Sequence, residues 1–347
     1  MIRRREAILR MGWSSLLPGL LGAQPPGSTP DREDRLRSKL PEITQPILFN
    51  TPEADRILEA LQVFPASNPW NTDVSGWPLH ANSRNIIASI GADKPMRYNP
   101  DYNFVLVPPD QRRVRVKIGY TAESDRGPFP IPDNMPIEGW PGPKELRQEP
   151  KDSPPSLAVM QRDDVRWGGD RHGIVVDPVN RMLYEFFLAK KTDAGWEANQ
   201  ASVFDLKTNR LRRDGWTSTD AAGLPLFPAI VRYNELRRGV ITHALRVTIR
   251  RTRRAFVHPA THFASQNNDP NLPRMGERIR LHRDYKTSGF SPIVRTILEG
   301  LKRYGMFVAD NGIDWAISVA ADHRLPVLNE ELRRIKGSAF EVVQRPA

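Results

Sequence analysis

The chain contains no cysteine, which excludes thiol catalysis, disulfide scaffolding, zinc–cysteine sites and iron–sulfur clusters. It has no Gly-x-Gly-x-x-Gly turn and no Walker-type loop, since Gly168-Gly169 stands alone, so no nucleotide cofactor is expected. No apolar run of about 18 residues follows the amino-terminal region, so no membrane span is expected after it. No internal period repeats, which sets solenoids and propellers aside. Acidic residues are the minority charge, 40 against 51 Lys plus Arg, for a net +11 over 347 residues. Proline, by contrast, is abundant. The 32 prolines have no collagen-like glycine period and must lie in loops, turns and strand edges, which favours a loop-rich β body over a helical bundle.

The amino terminus joins the basic cluster Arg3-Arg4-Arg5 to a short apolar stretch and to Leu21-Gly22-Ala23 before Gln24, the three parts of a cleavable export signal over residues 1–23. Arg4-Arg5 also fits the twin-arginine pattern, so a periplasmic or extracellular location is expected. Residues 24–62 read as a surface arm or linker with one short helix, capped by Thr51 and opened by Pro52. Residues 63–347 then read as a single β-rich domain.

Within that domain the period-two segments decide the fold class. Val114–Ile118 alternates as a half-buried strand, and 172–177 with 181–188 forms a hairpin continued by 201–206. Val240–Ile249 alternates for ten residues, with Ile241, His243, Leu245, Val247 and Ile249 on one face and Arg246 on the other. Residues 103–107, 255–257, 277–282, 306–308, 315–319 and 340–343 add short strands. Ser291 caps a helix opened by Pro292 that ends before Gly305. The expectation is a mainly β protein: an antiparallel β-sandwich or jelly-roll with a few peripheral helices and long Pro-rich loops.

Several segments resemble a widespread group of exported microbial proteins: Arg171-His-Gly, 215–225 (GWTSTDAAGLP), 239–248 (GVITHALRVT), 259–265 (PATHFAS), 269–276 (DPNLPRMG) and 304–312 (YGMFVADNG). The resemblance spans roughly residues 65 to 343. It implies export and one coherent unit, and it carries no catalytic assignment.

Glu185 sits in Leu-Tyr-Glu-Phe-Phe, apolar on both faces, where burial raises a carboxyl's pKa and suits it to general-acid work. Asp205 on the neighbouring strand is its candidate partner for a two-carboxylate glycosidase, with His243 nearby as a base in a cleft or, alternatively, as a core histidine. The competing reading of Glu185 is a buried carboxylate satisfied by an arginine or a backbone amide. A lyase variant would take His243 as base and Arg246 or Arg171 to neutralise a uronate. His172, Arg171, Trp196, Trp216, His262 and Asp310 are the candidate substrate contacts; the loop tryptophans suit sugar faces or simply seal loops onto the core.

Asp310-Asn311-Gly312 reads first as a tight Asn-Gly turn. His258 and His262 would lie about 13 Å apart in an extended segment and cannot share one ion, so no metal site is assigned. The loop with His262, Asn267 and Asp269 offers oxygens that suit calcium, without a repeated acidic spacing. The basic runs at 250–254 and 278–283 suit an acidic polysaccharide or a membrane surface better than nucleic acid in an exported protein, and a solvated face is the simpler reading. Two functions therefore remain: an exported polysaccharide-interacting protein, catalytic as a glycoside hydrolase or lyase, or a noncatalytic envelope or surface protein. No cofactor is expected in either.

Overall fold

A computed structural model describes residues 39–142, 156–162 and 169–346. The expected export signal at 1–23 and residues 24–38 of the expected arm lie outside the described residues.

Helix α1 (Pro52–Ala60) begins where predicted, with the Thr51 hydroxyl accepting from the Ala54 amide. Helix α5 (Pro292–Arg303) begins at Ser291, which accepts from Val294, and buries Val294, Ile297, Leu298 and Leu301. The shorter α2 (Ser83–Ile90), α3 (Leu157–Arg162), α4 (Tyr233–Arg238) and α6 (Asn329–Leu332) complete the six described helices.

The strands form three sheets. The first has the order β1 (Ile47–Leu48), β3 (Val105–Leu106), β5 (Gly173–Asp177), β6 (Met182–Phe187), β9 (Gln200–Asp205). The second runs β14 (Phe340–Val343), β11 (Arg278–Leu281), β12 (Met306–Asp310), β10 (Leu245–Thr248), β13 (Ala316–Ala320), β2 (Arg97–Tyr102). The third is β4 (Val116–Ile118), β8 (Gly195–Ala198), β7 (Lys190–Thr192). The protein is mainly sheet with few helices, as expected. The sheets are mixed rather than antiparallel: β3 with β5, β10 with β12, β13 with β2 and β4 with β8 run parallel. Period-two alternation reports which face a side chain takes but not the direction of the neighbouring strand, so this correction was beyond the sequence pattern.

The expected 172–188 hairpin is present as β5 and β6, and β9 pairs antiparallel to β6. The ten-residue alternation at 240–249 shortens to β10, where all four residues are buried, and His243 falls in the loop before it. Residues 43–49, expected in a surface arm, instead bury Ile43, Ile47 and Phe49 in the main core and pair β1 with β3. Each fully buried side chain of that size is worth about 1.5–3 kcal/mol, which is why the segment folds back.

The five-stranded sheet is covered on both faces. Ile174, Val176, Leu183 and Phe204 join the large cluster that takes in the six-stranded sheet and the buried sides of α1, α2, α4 and α5. Val175, Tyr184, Phe186 and Ala201 join a second cluster with Trp196, Ala198 and the Pro-rich segment carrying Phe129, Ile131, Met135 and Ile137.

Candidate functional site: a carboxyl cluster around a buried arginine

The residues expected to act together are not brought together. Register pairs Glu185 with Ser202 and Asp205 with Met182. Met182 and Glu185 are three positions apart, so the two carboxylates project from opposite faces of the sheet, about 10 Å apart along the strand. Asp205 caps the turn after β9, accepting from the Lys207 amide at 2.9 Å. Glu185 is wholly buried and accepts from the amides of Leu226 (2.9 Å) and Phe227 (2.9 Å) and from the Thr219 hydroxyl (3.1 Å). Burial holds its pKa up at about 7, against the pull of those amides. The raised pKa agrees with the sequence reading, but the backbone amides identify a structural carboxyl sealed from substrate.

His243 lies in a separate cleft lined by α1, α4 and the 61–71 loop. Its Nε2 is 2.8 Å from Glu235 and its Nδ1 2.8 Å from the Ala244 carbonyl oxygen. Arg232 and His243 hold the Glu235 carboxyl down at about 2 despite its burial. Arg171 donates to the carbonyls of Ala189 (3.1 Å) and Met160 (2.9 Å). Arg171 is half-buried, Arg246 is buried as described below, and neither lines the cleft that holds His243, so the lyase constellation does not assemble.

Trp196 is buried in the second cluster with the Lys191 ammonium 5.7 Å above its ring. Trp216 is half-buried beneath the Arg212 guanidinium. His262 holds the Ala221 carbonyl oxygen at 2.8 Å, whereas His258 holds Asp214 at 2.9 Å. In the loop considered for calcium, Asn267 and Asp269 use side-chain oxygens to accept backbone amides of that loop, and among the described residues no three acidic or imidazole groups converge as metal ligands.

The structure assembles a different group on one face of the six-stranded sheet. Arg246 on β10 lies opposite Ser318 on β13, as the register Val247↔Ile317 requires. By strict alternation Asp310 would share the face of Met306 and Val308, away from Arg246. The β10–β12 register shifts so that Val247 meets Val308 but Thr248 meets Asp310, skipping Ala309 and turning Asp310 onto the Arg246 face. A second irregularity, with Ser318 opposite Asn99 but Ala320 opposite Tyr102, turns Tyr102 onto that same face.

Arg246 is 1% exposed and fully engaged: Nε and Nη2 donate to the two oxygens of Asp220 at 2.9 and 2.7 Å, and Nη1 donates to Tyr102 and Ser318, each at 2.8 Å. Asp310 stands 3.8 Å from Nη2 with 24% of its side chain exposed. The expected tight Asn-Gly turn after it is not formed, because β10 lies between β12 and β13, so residues 311–315 cross over the end of β10.

From the five-stranded side, His172 stacks on Tyr102 with ring centroids 5.8 Å apart, and its Nε2 is 3.9 Å from Asp170. The His172 amide donates to Glu138 at 3.2 Å, and the Glu138 amide to the His172 carbonyl oxygen at 2.8 Å. The Gly139 amide donates to the Asp101 carbonyl oxygen, which draws Asp101 into the group. The Asn103 amide nitrogen donates to the carbonyl oxygens of Ile137 and Trp140, bracing that bend.

Burial and neighbouring acids raise the pKa of Asp101 to about 8 and that of Asp310 to about 7; burial, with Asp170 adding to it, raises that of Glu138 to about 7. Burial lowers that of His172 to about 4, so its ring is neutral at pH 7. Carboxyls that keep their protons near neutrality, set beside the exposed Asp170, can give and take protons from a bound molecule.

His172 and Asp310 were legible in the sequence as candidate contacts. Asp101, Glu138, Asp170 and Asp220 were not singled out as site residues. Asp220, Arg246 and Asp310 all lie in segments that carry the resemblance, which for Asp220 was the one sequence signal. The chain matches no family model, no curated protein and no solved structure.

Proposed function

We propose that this chain is an exported protein that acts on polysaccharide by acid–base hydrolysis at the carboxyl cluster. The observation that carries the reading is Asp310, a carboxyl open on one side, 3.8 Å from the buried Arg246 and raised in pKa to about 7. In this mechanism Asp310 protonates the departing glycosidic oxygen while Asp170 takes a proton from the attacking water, and exchange with solvent restores both. Burial, with the negative charge of Asp220 and Asp170 adding to it, keeps the proton on Asp310. Trp140, half-buried two residues beyond Glu138, offers an aromatic surface for a sugar ring.

The test is reducing-sugar release by the mature protein across a glycan panel, comparing wild type with Asp310→Asn. Turnover by wild type with a loss of about 100-fold or more in the variant, and unchanged binding, supports the mechanism. Equal turnover in both discards Asp310 as the acid. A noncatalytic binding role is favoured by the dryness of Glu185 and Arg246; it becomes the better reading if wild type binds glycan and releases no reducing ends.

A further inference from the structure

We infer that the polymer taken by this site is an anionic glycan, gripped by Arg250, Arg251, Arg253 and Arg254 on the loop pinned behind Asp310. The inference rests on the hydrolytic reading for its substrate class, but its binding test stands apart from turnover.

Asn311 follows Asp310 directly, and its side-chain nitrogen donates to the Ile249 carbonyl oxygen at 3.2 Å and to the Thr252 hydroxyl at 3.1 Å. Thr252 is 1% exposed, so the middle of the basic loop is anchored against the strand end that bears the acid. The loop backbone is tied on both sides: the Arg250 amide donates to Asp314, Arg253 to the Pro273 carbonyl oxygen and Arg254 to that of Asn267. Arg250, Arg251 and Arg254 are exposed and Arg253 is half-buried.

These charges lack internal compensation. Some arginines elsewhere have carboxylate partners, as in Arg162 with Asp193 and Arg303 with Asp73. Among the described residues none of the four guanidinium groups forms an ion pair, and the nearest acid of the crossing, Asp314, is taken by Lys94 at 2.7 Å. Four like charges within five residues repel one another unless an external anion intervenes.

The chemistry favours carboxylate-bearing sugar over the other polyanions. The guanidinium fork matches a carboxylate through two parallel hydrogen bonds. The loop interleaves no aromatic ring for base stacking, and its one uncharged residue, Thr252, is turned inward, leaving no apolar side chain in the run to enter a bilayer.

The experiment measures binding of the mature protein to polygalacturonate, alginate and hyaluronate, with dextran, single-stranded DNA and vesicles containing phosphatidylglycerol as comparisons. The expected result is that at least one polyuronate binds in preference to all three comparisons, and that R250S/R251S/R253S/R254S weakens it by about tenfold or more. An equally charged control, R112S/R115S/R210S/R333S, which removes exposed cations elsewhere, should change it by less than about twofold. Melting temperatures of both variants verify that they are folded. Binding to none of the polyuronates, stronger binding to DNA or vesicles, or an equal loss in the control overturns the inference. Polyuronate binding without reducing-end release leaves it standing and defeats the hydrolytic reading; turnover of a neutral glycan without polyuronate binding does the reverse.

Discussion

Arg246 and Asp220 form a two-pronged ion pair in which each residue is 1% exposed. Burial raises the pKa of Asp220 above its ordinary value, and the Arg246 guanidinium opposes this only in part. The remaining donors of Arg246 hold Tyr102 and Ser318, so one side chain fastens β2, β10 and β13 to the segment carrying Asp220.

Removing one partner strands the other in a dry site. Arg246→Met should destabilise the protein by about 3–5 kcal/mol, and Asp220→Asn by less, because the amide still accepts one of the two bonds. The double variant Arg246→Met/Asp220→Asn should cost less than the sum of the two. Urea denaturation of the four proteins measures the coupling, and strict additivity would show that the pair contributes nothing as a pair.

Glu185 distinguishes shape from charge. Glu185→Ala leaves the Leu226 and Phe227 amides and the Thr219 hydroxyl without their acceptor and should cost about 3 kcal/mol or more. Glu185→Gln keeps an oxygen for the amides and lets its nitrogen face the hydroxyl, so it should cost about 1 kcal/mol or less. Neither change should alter turnover per folded molecule, which a titrated activity assay checks.

Stability should fall as pH rises. Asp101, Glu138, Glu185 and Asp310 have folded-state pKa values of about 7 to 8, above their ordinary values, so the folded chain binds more protons than the unfolded chain until those carboxyls ionise. Their stabilising protonation is complete at low pH and lost through about pH 7–8. His172, lowered to about 4, opposes this only between about pH 4 and 6.5, and Glu235, lowered to about 2, adds stability above about pH 4.5. Melting temperature should therefore decline from about pH 6.5 to about pH 8, and Glu185→Gln should flatten that decline. A melting temperature that climbs over that range would contradict the assigned directions.

Hydrolysis, if Asp310 is the acid, should weaken on the alkaline side with an apparent pKa near 7. The profile of kcat/KM against pH measures it, and a limb set near 4 would remove Asp310 from the role.

The amino-acid pattern alone determined the strands at 173–187, 200–205, 278–281 and 316–320, the caps at Thr51 and Ser291, and the burial of Glu185, because each depends on near neighbours and on apolar periodicity. It placed His172 and Asp310 among the candidates but drew Glu185, Asp205 and His243 into one site that does not exist. Which acids meet was decided by parallel pairing and by two register shifts, one at Ala309 and one before Tyr102, that turn side chains across the sheet. A one-residue slip reverses the face of everything beyond it, and nothing in the local alternation of hydrophobic residues records where the slip occurs; only the contacts made by distant strands do.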